Sequence, residues 1–249
     1  MSAITTTGRS LASLLSNVPG SFAVHDKGGT FGIDRLRDAV DAYASALTSA
    51  GVAPLDRGIV KLSRTYLDLA AIFGVAIARG IAVPVGAETP PDRLRMIAED
   101  CCAIGEVRTS DLGVCFERYG LTRVVDTDDA GDLDDVALMI YTSGSSGVPK
   151  GVVCSHSAVL SAVEGIQDRL GYVATDRIGL VLPMAFDYGL YQGFLALRAG
   201  AELFIYEEAV SGPRLGDRLE RDGITVLPSL PALTTGLVSW CQRRQIKLE

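Results

Sequence analysis

Short apolar runs alternate with amphipathic segments along nearly the whole chain, and this alternation restricts the fold more than any other feature. Residues 58–62, 81–85, 177–182 and 201–206 are apolar runs with the length of strands. Between them, Leu36, Val40, Tyr43 and Leu47 recur at helical spacing, and Val159, Val163, Ile166 and Leu170 repeat the pattern. Such residues share one face of a helix. Ser155 or Ser157 is positioned to cap the second of these helices. The same reading predicts helices over residues 65–79, 92–100, 188–198, 213–221 and 231–240. It places further strands at residues 103–107, 121–125 and 224–227. Helices of roughly 10 to 16 residues alternating with strands imply parallel sheets covered on both faces, an α/β protein.

One segment departs from this rhythm. Residues 139–156 read MIYTSGSSGVPKGVVCSH. An apolar run stops in hydroxyl residues and glycines, passes one lysine and returns to an apolar run. Glycines let the backbone approach a bulky anion and present N–H groups to it. The hydroxyls of Thr142, Ser143, Ser145 and Ser146 donate further hydrogen bonds, and Lys150 supplies charge. The segment is not a Walker loop, which runs from Gly-Lys-Ser/Thr straight into a helix. Here Pro149 precedes Lys150 and disfavours a helix through this point. The pattern reads as strand, phosphate loop, strand. A flexible Gly/Ser linker is the competing reading, but linkers seldom sit between two apolar runs with a lone Lys at the exit.

Residues 141–151 resemble the signature loop of the adenylate-forming ligases, a group that includes acyl-CoA synthetases and the adenylation domains of nonribosomal peptide synthetases. The resemblance covers roughly residues 22–240, including FGIDRLRDAVDAYASAL and IARGIAVPVGAETPPDRLRMIAEDC. It implies two flavodoxin-like layers, taken as residues 1–140 and 141–249 of a partial N-terminal domain. It also implies ATP-dependent conversion of a carboxylic acid to an acyl-adenylate. Thr142, Ser143, Gly144, Ser145, Ser146, Gly147 and Lys150 would then hold the β- and γ-phosphates of MgATP, with Thr142 and Lys150 serving catalysis. The thiol acceptor would be CoA or the phosphopantetheine arm of a carrier protein.

LPMAFDYGLYQGFLAL, residues 182–197, sets Asp187 between a strand and a helix. Two readings stay open. In one, Asp187 serves only the positive end of the helix. By the resemblance, it aligns with an aspartate that pairs with the α-ammonium of an amino-acid substrate. Tyr191 lies one turn on and would wall the same pocket. Ser229 lies where a strand is expected to end, the edge at which ligands bind in open α/β sheets; a plain turn serine is the alternative. The sequence carries no Ser/His/Asp triad and no metal-ligand spacing, and His25 and His156 form no catalytic pair.

The resemblance also implies adenine-, ribose- and C-terminal lysine segments that have no counterpart here; Lys247 sits in no matching context. The expectation is an N-terminal half, inactive alone, that requires a complementing C-terminal half. The alternative is a non-catalytic scaffold that keeps the ligase fold. A net charge of −7 gives no support to nucleic-acid or anionic-membrane binding. The longest apolar run, residues 69–78, is too short to span a bilayer. With five unpatterned cysteines and no signal segment, a reducing cytoplasm is the default expectation.

Overall fold

The computed structural model describes residues 10–109, 115–119, 135–143, 149–207 and 213–245. Its layering follows from one helix, α2 (Tyr66–Ile77), whose residues from Tyr66 to Ala76 are all buried. A helix that is apolar all round must be covered all round. Two sheets and a neighbouring helix cover it. One sheet has six strands in the order β6-β5-β3-β4-β7-β8. These are β3 (Arg57–Leu62), β4 (Ile81–Gly86), β5 (Gly105–Arg108), β6 (Cys115–Arg118), β7 (Val136–Ser143) and β8 (Pro149–Ser155). The other has four, in the order β2-β1-β10-β9: β1 (Ala23–Asp26), β2 (Gly29–Gly32), β9 (Arg177–Leu180) and β10 (Glu202–Ile205). Parallel pairing runs through the centre of each sheet, with antiparallel neighbours β6, β8 and β2 at edges.

The division into residues 1–140 and 141–249 does not match the sheets. The boundary falls inside β7, and the N-terminal β1–β2 hairpin pairs with β10, far away in sequence. One large core joins the two sheets. It holds Val60, Ala82 and Leu138 from one, Val24, Ile178 and Leu203 from the other, and α2 between. Helix α5 (Asp187–Ala199) packs on α2, with Phe194 edge-on to Phe73 at 5.7 Å between ring centroids. On the opposite face of the six-stranded sheet, Ile97 and Ala98 of α3 (Pro91–Asp100) pack with Ile59, Val83 and Tyr141.

The apolar stripe of α1 (Ile33–Ser49) is buried as its spacing predicts. It lies so close to α2 that a Cβ on Gly74 would meet Tyr43, the Ala44 nitrogen at 3.2 Å and the Val40 carbonyl at 3.3 Å. Two backbones cannot be pushed aside like a side-chain tip. Gly74→Ala is therefore expected to cost about 1–3 kcal/mol in denaturant unfolding. Helix α4 (His156–Leu170) starts at Ser155, whose hydroxyl accepts from the Ala158 N–H at 3.0 Å. Val159 and Val163 are buried, whereas Leu170, the last in its stripe, is exposed.

Several expectations change. Residues 224–227 form no strand; only Val226 bridges, to Ile178. Pro228 and Pro231 restrict the chain there before α7 (Pro231–Arg244) begins. Helix α2 stops at Ile77, and Arg79, with φ 62°, takes the left-handed position rather than Gly80. A 3-10 turn at Leu11–Leu15 and the β1–β2 hairpin were not expected. The predicted strand at residues 121–125, most of the aspartate-rich stretch at 126–135, and Lys247 lie outside the described residues.

Candidate active site

The strand–loop–strand reading holds for the stems. β7 and β8 pair antiparallel, with Thr142 opposite Lys150 and Ser143 opposite Pro149. Gly144, Ser145, Ser146 and Gly147 lie outside the described residues, as does the side chain of Ser143. Directly paired residues in an antiparallel ladder project to the same face. Thr142 and Lys150 thus share one face of the hairpin, and both residues are exposed. Lys150 forms no ion pair with any described residue. A hydroxyl beside an unneutralised ammonium at the mouth of a glycine-rich hairpin suits a polyanion.

Four residues along β8 from Lys150 stands Cys154. Burial pushes its thiol pKa up, with the Asp187 carboxylate adding to the shift. Burial also raises the Tyr191 phenol to about 12, with Cys154 and Asp187 contributing. Asp187, Tyr191 and Cys154 of the return strand therefore share one electrostatic neighbourhood. Sequence reasoning had counted Cys154 only among the cysteines. Its position on the strand leaving the loop was the available signal.

Asp187 occupies the first turn of α5, and its Oδ1 accepts from the Tyr188 N–H at 2.7 Å. The helix-end role is real, and the carboxylate stays exposed. Ser229 joins this end of the molecule through Tyr188: the Ser229 N–H donates to the Tyr188 hydroxyl at 3.3 Å. Its own hydroxyl turns toward α7, at 2.8 Å from Thr234 Oγ1. Asp187 and Tyr191 are thus one turn apart on one helix, with Ser229 beside their neighbour Tyr188.

A cleft of about 550 Å³ opens between the two sheets at the carboxyl ends of β3, β4, β9 and β10. Ligands in α/β proteins gather at this edge. Tyr141, immediately before Thr142, lines one wall, and Phe186, immediately before Asp187, lines another. Sequence reasoning missed the residues that set its shape. The main one is Arg64, whose Nη1 donates to the Val181 carbonyl at 3.3 Å and the Tyr206 carbonyl at 3.0 Å. Arg64 has φ 59°, a left-handed conformation uncommon for a residue with a side chain. Fully buried Asp68 holds it there. Asp68 accepts from the N–H groups of Ser63 (2.8 Å), Arg64 (2.8 Å) and Thr65 (3.3 Å) and from the Thr109 hydroxyl (2.9 Å). Burial raises the Asp68 carboxyl to about 6 despite these donors.

Among the described residues, no group of three His, Cys, Asp or Glu side chains gathers as a metal cage. None of the described helices is long and apolar enough to cross a membrane.

Known proteins place this architecture. The chain is 31% identical over 235 residues to pyochelin synthetase PchF of Pseudomonas aeruginosa, covering 90% of the chain but 13% of that protein. It is 30% identical over 203 residues to phenyloxazoline synthase MbtB of Mycobacterium sp. (strain MCS), covering 78% of the chain and 17% of that protein. The chain thus spans a small part of these relatives. Among solved structures, VinN in complex with L-aspartate superposes with a TM-score of 0.77 at 24% identity, covering 94% of the chain and 65% of VinN. A four-domain nonribosomal peptide synthetase bound to AMP and glycine gives 0.74 at 24% identity, over 92% of the chain and 18% of that protein. These likenesses show the fold of an N-terminal adenylate-forming domain. The family model for AMP-binding enzymes matches residues 14–247, and the chain belongs to that family.

Proposed function

We propose that this chain supplies the phosphate-gripping and acid-binding face of an enzyme that uses ATP to activate a carboxylic acid, an amino acid by preference, for transfer to a thiol. The observation that carries the reading is the shared hairpin. One strand, β8, leaves the loop at Lys150 and carries Cys154, which shares an electrostatic neighbourhood with Asp187 and Tyr191.

MgATP supplies the electrophilic α-phosphate and the pyrophosphate leaving group. Thr142, Ser143, Ser145 and Ser146 donate to phosphate oxygens, and Gly144 and Gly147 let the backbone close in. Lys150 offsets the charge that builds on the departing phosphates. The described residues offer Mg²⁺ hydroxyls rather than a carboxylate cage, so the ion would arrive with the nucleotide.

Asp187 favours an amino-acid substrate, its exposed carboxylate pairing with the α-ammonium. VinN with L-aspartate and the synthetase with AMP and glycine are relatives in fold whose structures hold amino acids. The acceptor is proposed to be the phosphopantetheine arm of a carrier protein, in keeping with the synthetase relatives, with CoA as the other candidate. The chain spans 65% of VinN.

The test is acid-dependent ATP–pyrophosphate exchange, measured on the chain alone and with a complementing C-terminal segment. Restored exchange that depends on Lys150 supports the reading. Absence of exchange with every acid tried, alongside intact folding, favours the scaffold alternative. In the active pair, Asp187→Ala is expected to abolish exchange with amino acids while sparing simple fatty acids. Equal loss on both classes would reduce Asp187 to its helix-end role.

A further inference from the structure

We propose that Tyr141 is a positioning residue that clamps both stems of the phosphate loop and is itself locked by Asp100 of α3. Tyr141 immediately precedes Thr142 on β7 and pairs with Gly151, which immediately follows Lys150 on β8. Its side chain lies across that glycine. A Cβ on Gly151 would come within 3.0 Å of the Tyr141 Cζ and 3.1 Å of its hydroxyl. One buried ring therefore covers the root of the outgoing strand and the root of the returning one.

The ring is fixed from a third element. The Tyr141 hydroxyl donates to Asp100 Oδ2 at 2.5 Å. Asp100 is the last residue of α3, where the helix dipole disfavours a negative charge. A carboxylate there needs another partner, and Tyr141 is one. The α3 terminus is anchored in turn, because Arg57 Nε donates to the Cys101 carbonyl at 2.7 Å. Arg57 opens β3, so the chain of contacts runs from the sheet through α3 and Tyr141 to the loop stems. Burial, and next the bond to Asp100, hold the phenol protonated at all ordinary pH values. The clamp is therefore always a donor.

This rests on the loop being the phosphate site, and the test separates the two claims. Hydrogen exchange of the full chain without ligand reads the stems at residues 140–142 and 150–152. Calorimetric titration with MgATP, run on the chain paired with a complementing C-terminal segment, reads the loop. Tyr141→Phe and Asp100→Ala should each accelerate stem exchange and weaken MgATP binding by about tenfold. Asp100→Asn keeps an acceptor for the phenol and should restore both. The double variant should be no worse than Tyr141→Phe alone, since that substitution already removes the bond to Asp100. Thermal melting identifies any variant that fails to fold, and Asp100→Asn against Asp100→Ala then carries the comparison. Wild-type stem exchange in Tyr141→Phe would overturn the clamp, whatever nucleotide does. Altered stem exchange in a complemented pair that never binds MgATP would keep the clamp and remove the phosphate reading.

Discussion

Lys150→Ala is expected to lower acid-dependent pyrophosphate exchange by about a hundredfold or more, equivalent to roughly 3 kcal/mol of transition-state stabilisation. Lys150 is exposed, sits opposite Thr142 on the hairpin and has no ion-pair partner among the described residues. An ammonium without a partner is free to follow charge as it moves onto a leaving phosphate. Lys150→Arg should recover only part of the rate, because a planar guanidinium fork replaces a compact charge at a site shaped by glycine. Neither substitution should alter thermal stability by more than about 0.5 kcal/mol, since surface positions rarely contribute more. Unchanged exchange in Lys150→Ala would remove Lys150 from the chemistry.

Asp68→Ala is expected to cost about 3 kcal/mol or more of folding stability, the largest effect of any single change away from the loop. The substitution strands the N–H groups of Ser63, Arg64 and Thr65 and the Thr109 hydroxyl near the interior. It also releases Arg64 from its left-handed conformation, and with it the bridge to the Val181 and Tyr206 carbonyls. Val181 leads directly into residues 182–187, so amide exchange there should rise as well. Asp68 further gives stability a distinctive pH dependence. Its folded pKa of about 6 lies above the ordinary 3.8, so the unfolded chain loses this proton first. Wherever the folded state holds more protons, stability falls as pH rises. The contribution is therefore greatest below about pH 4, declines by roughly 3 kcal/mol up to about pH 6, and is flat above. His156 works in the opposite direction. Burial lowers its pKa, and its Nδ1 accepts from the Leu11 N–H at 3.1 Å, so its contribution is lost as pH falls. Denaturant unfolding of wild type and Asp68→Asn across pH 4 to 7 isolates the first effect. The difference between the two curves should change with pH in the stated direction, and parallel curves would refute it.

The sequence made visible what is local. The stripe through Leu36, Val40, Tyr43 and Leu47 is buried on α1, because an amphipathic helix encodes its own buried face. Ser155 as a cap and the two strands around the glycine-rich loop were legible for the same reason. Pairing across long separations was not. Nothing in AVHD announces that β1 will lie beside β10, some 180 residues on, and that union decides where the second sheet stands. The run at residues 224–227 looks like a strand, yet only Val226 forms a β-bridge. The site divides in the same way. The positions of Thr142 and Lys150 on the loop stems and of Asp187 at a helix start were readable from motif and spacing. Cys154, Tyr141 and Arg64 were not, because each acquires its place from a neighbour on another element. Asp68 had a readable signal, Thr65 three residues ahead of an acid at the start of an apolar helix, although nothing in that pattern shows its reach to Thr109.

A hydrogen-exchange footprint of the chain paired with a complementing C-terminal segment, with and without MgATP, tests the central claim most directly. If the glycine-rich tip embraces the phosphates, nucleotide should slow exchange across residues 141–151, and Lys150→Ala should erase that protection. Protection that appears elsewhere, or that survives the loss of Lys150 unchanged, would contradict the account.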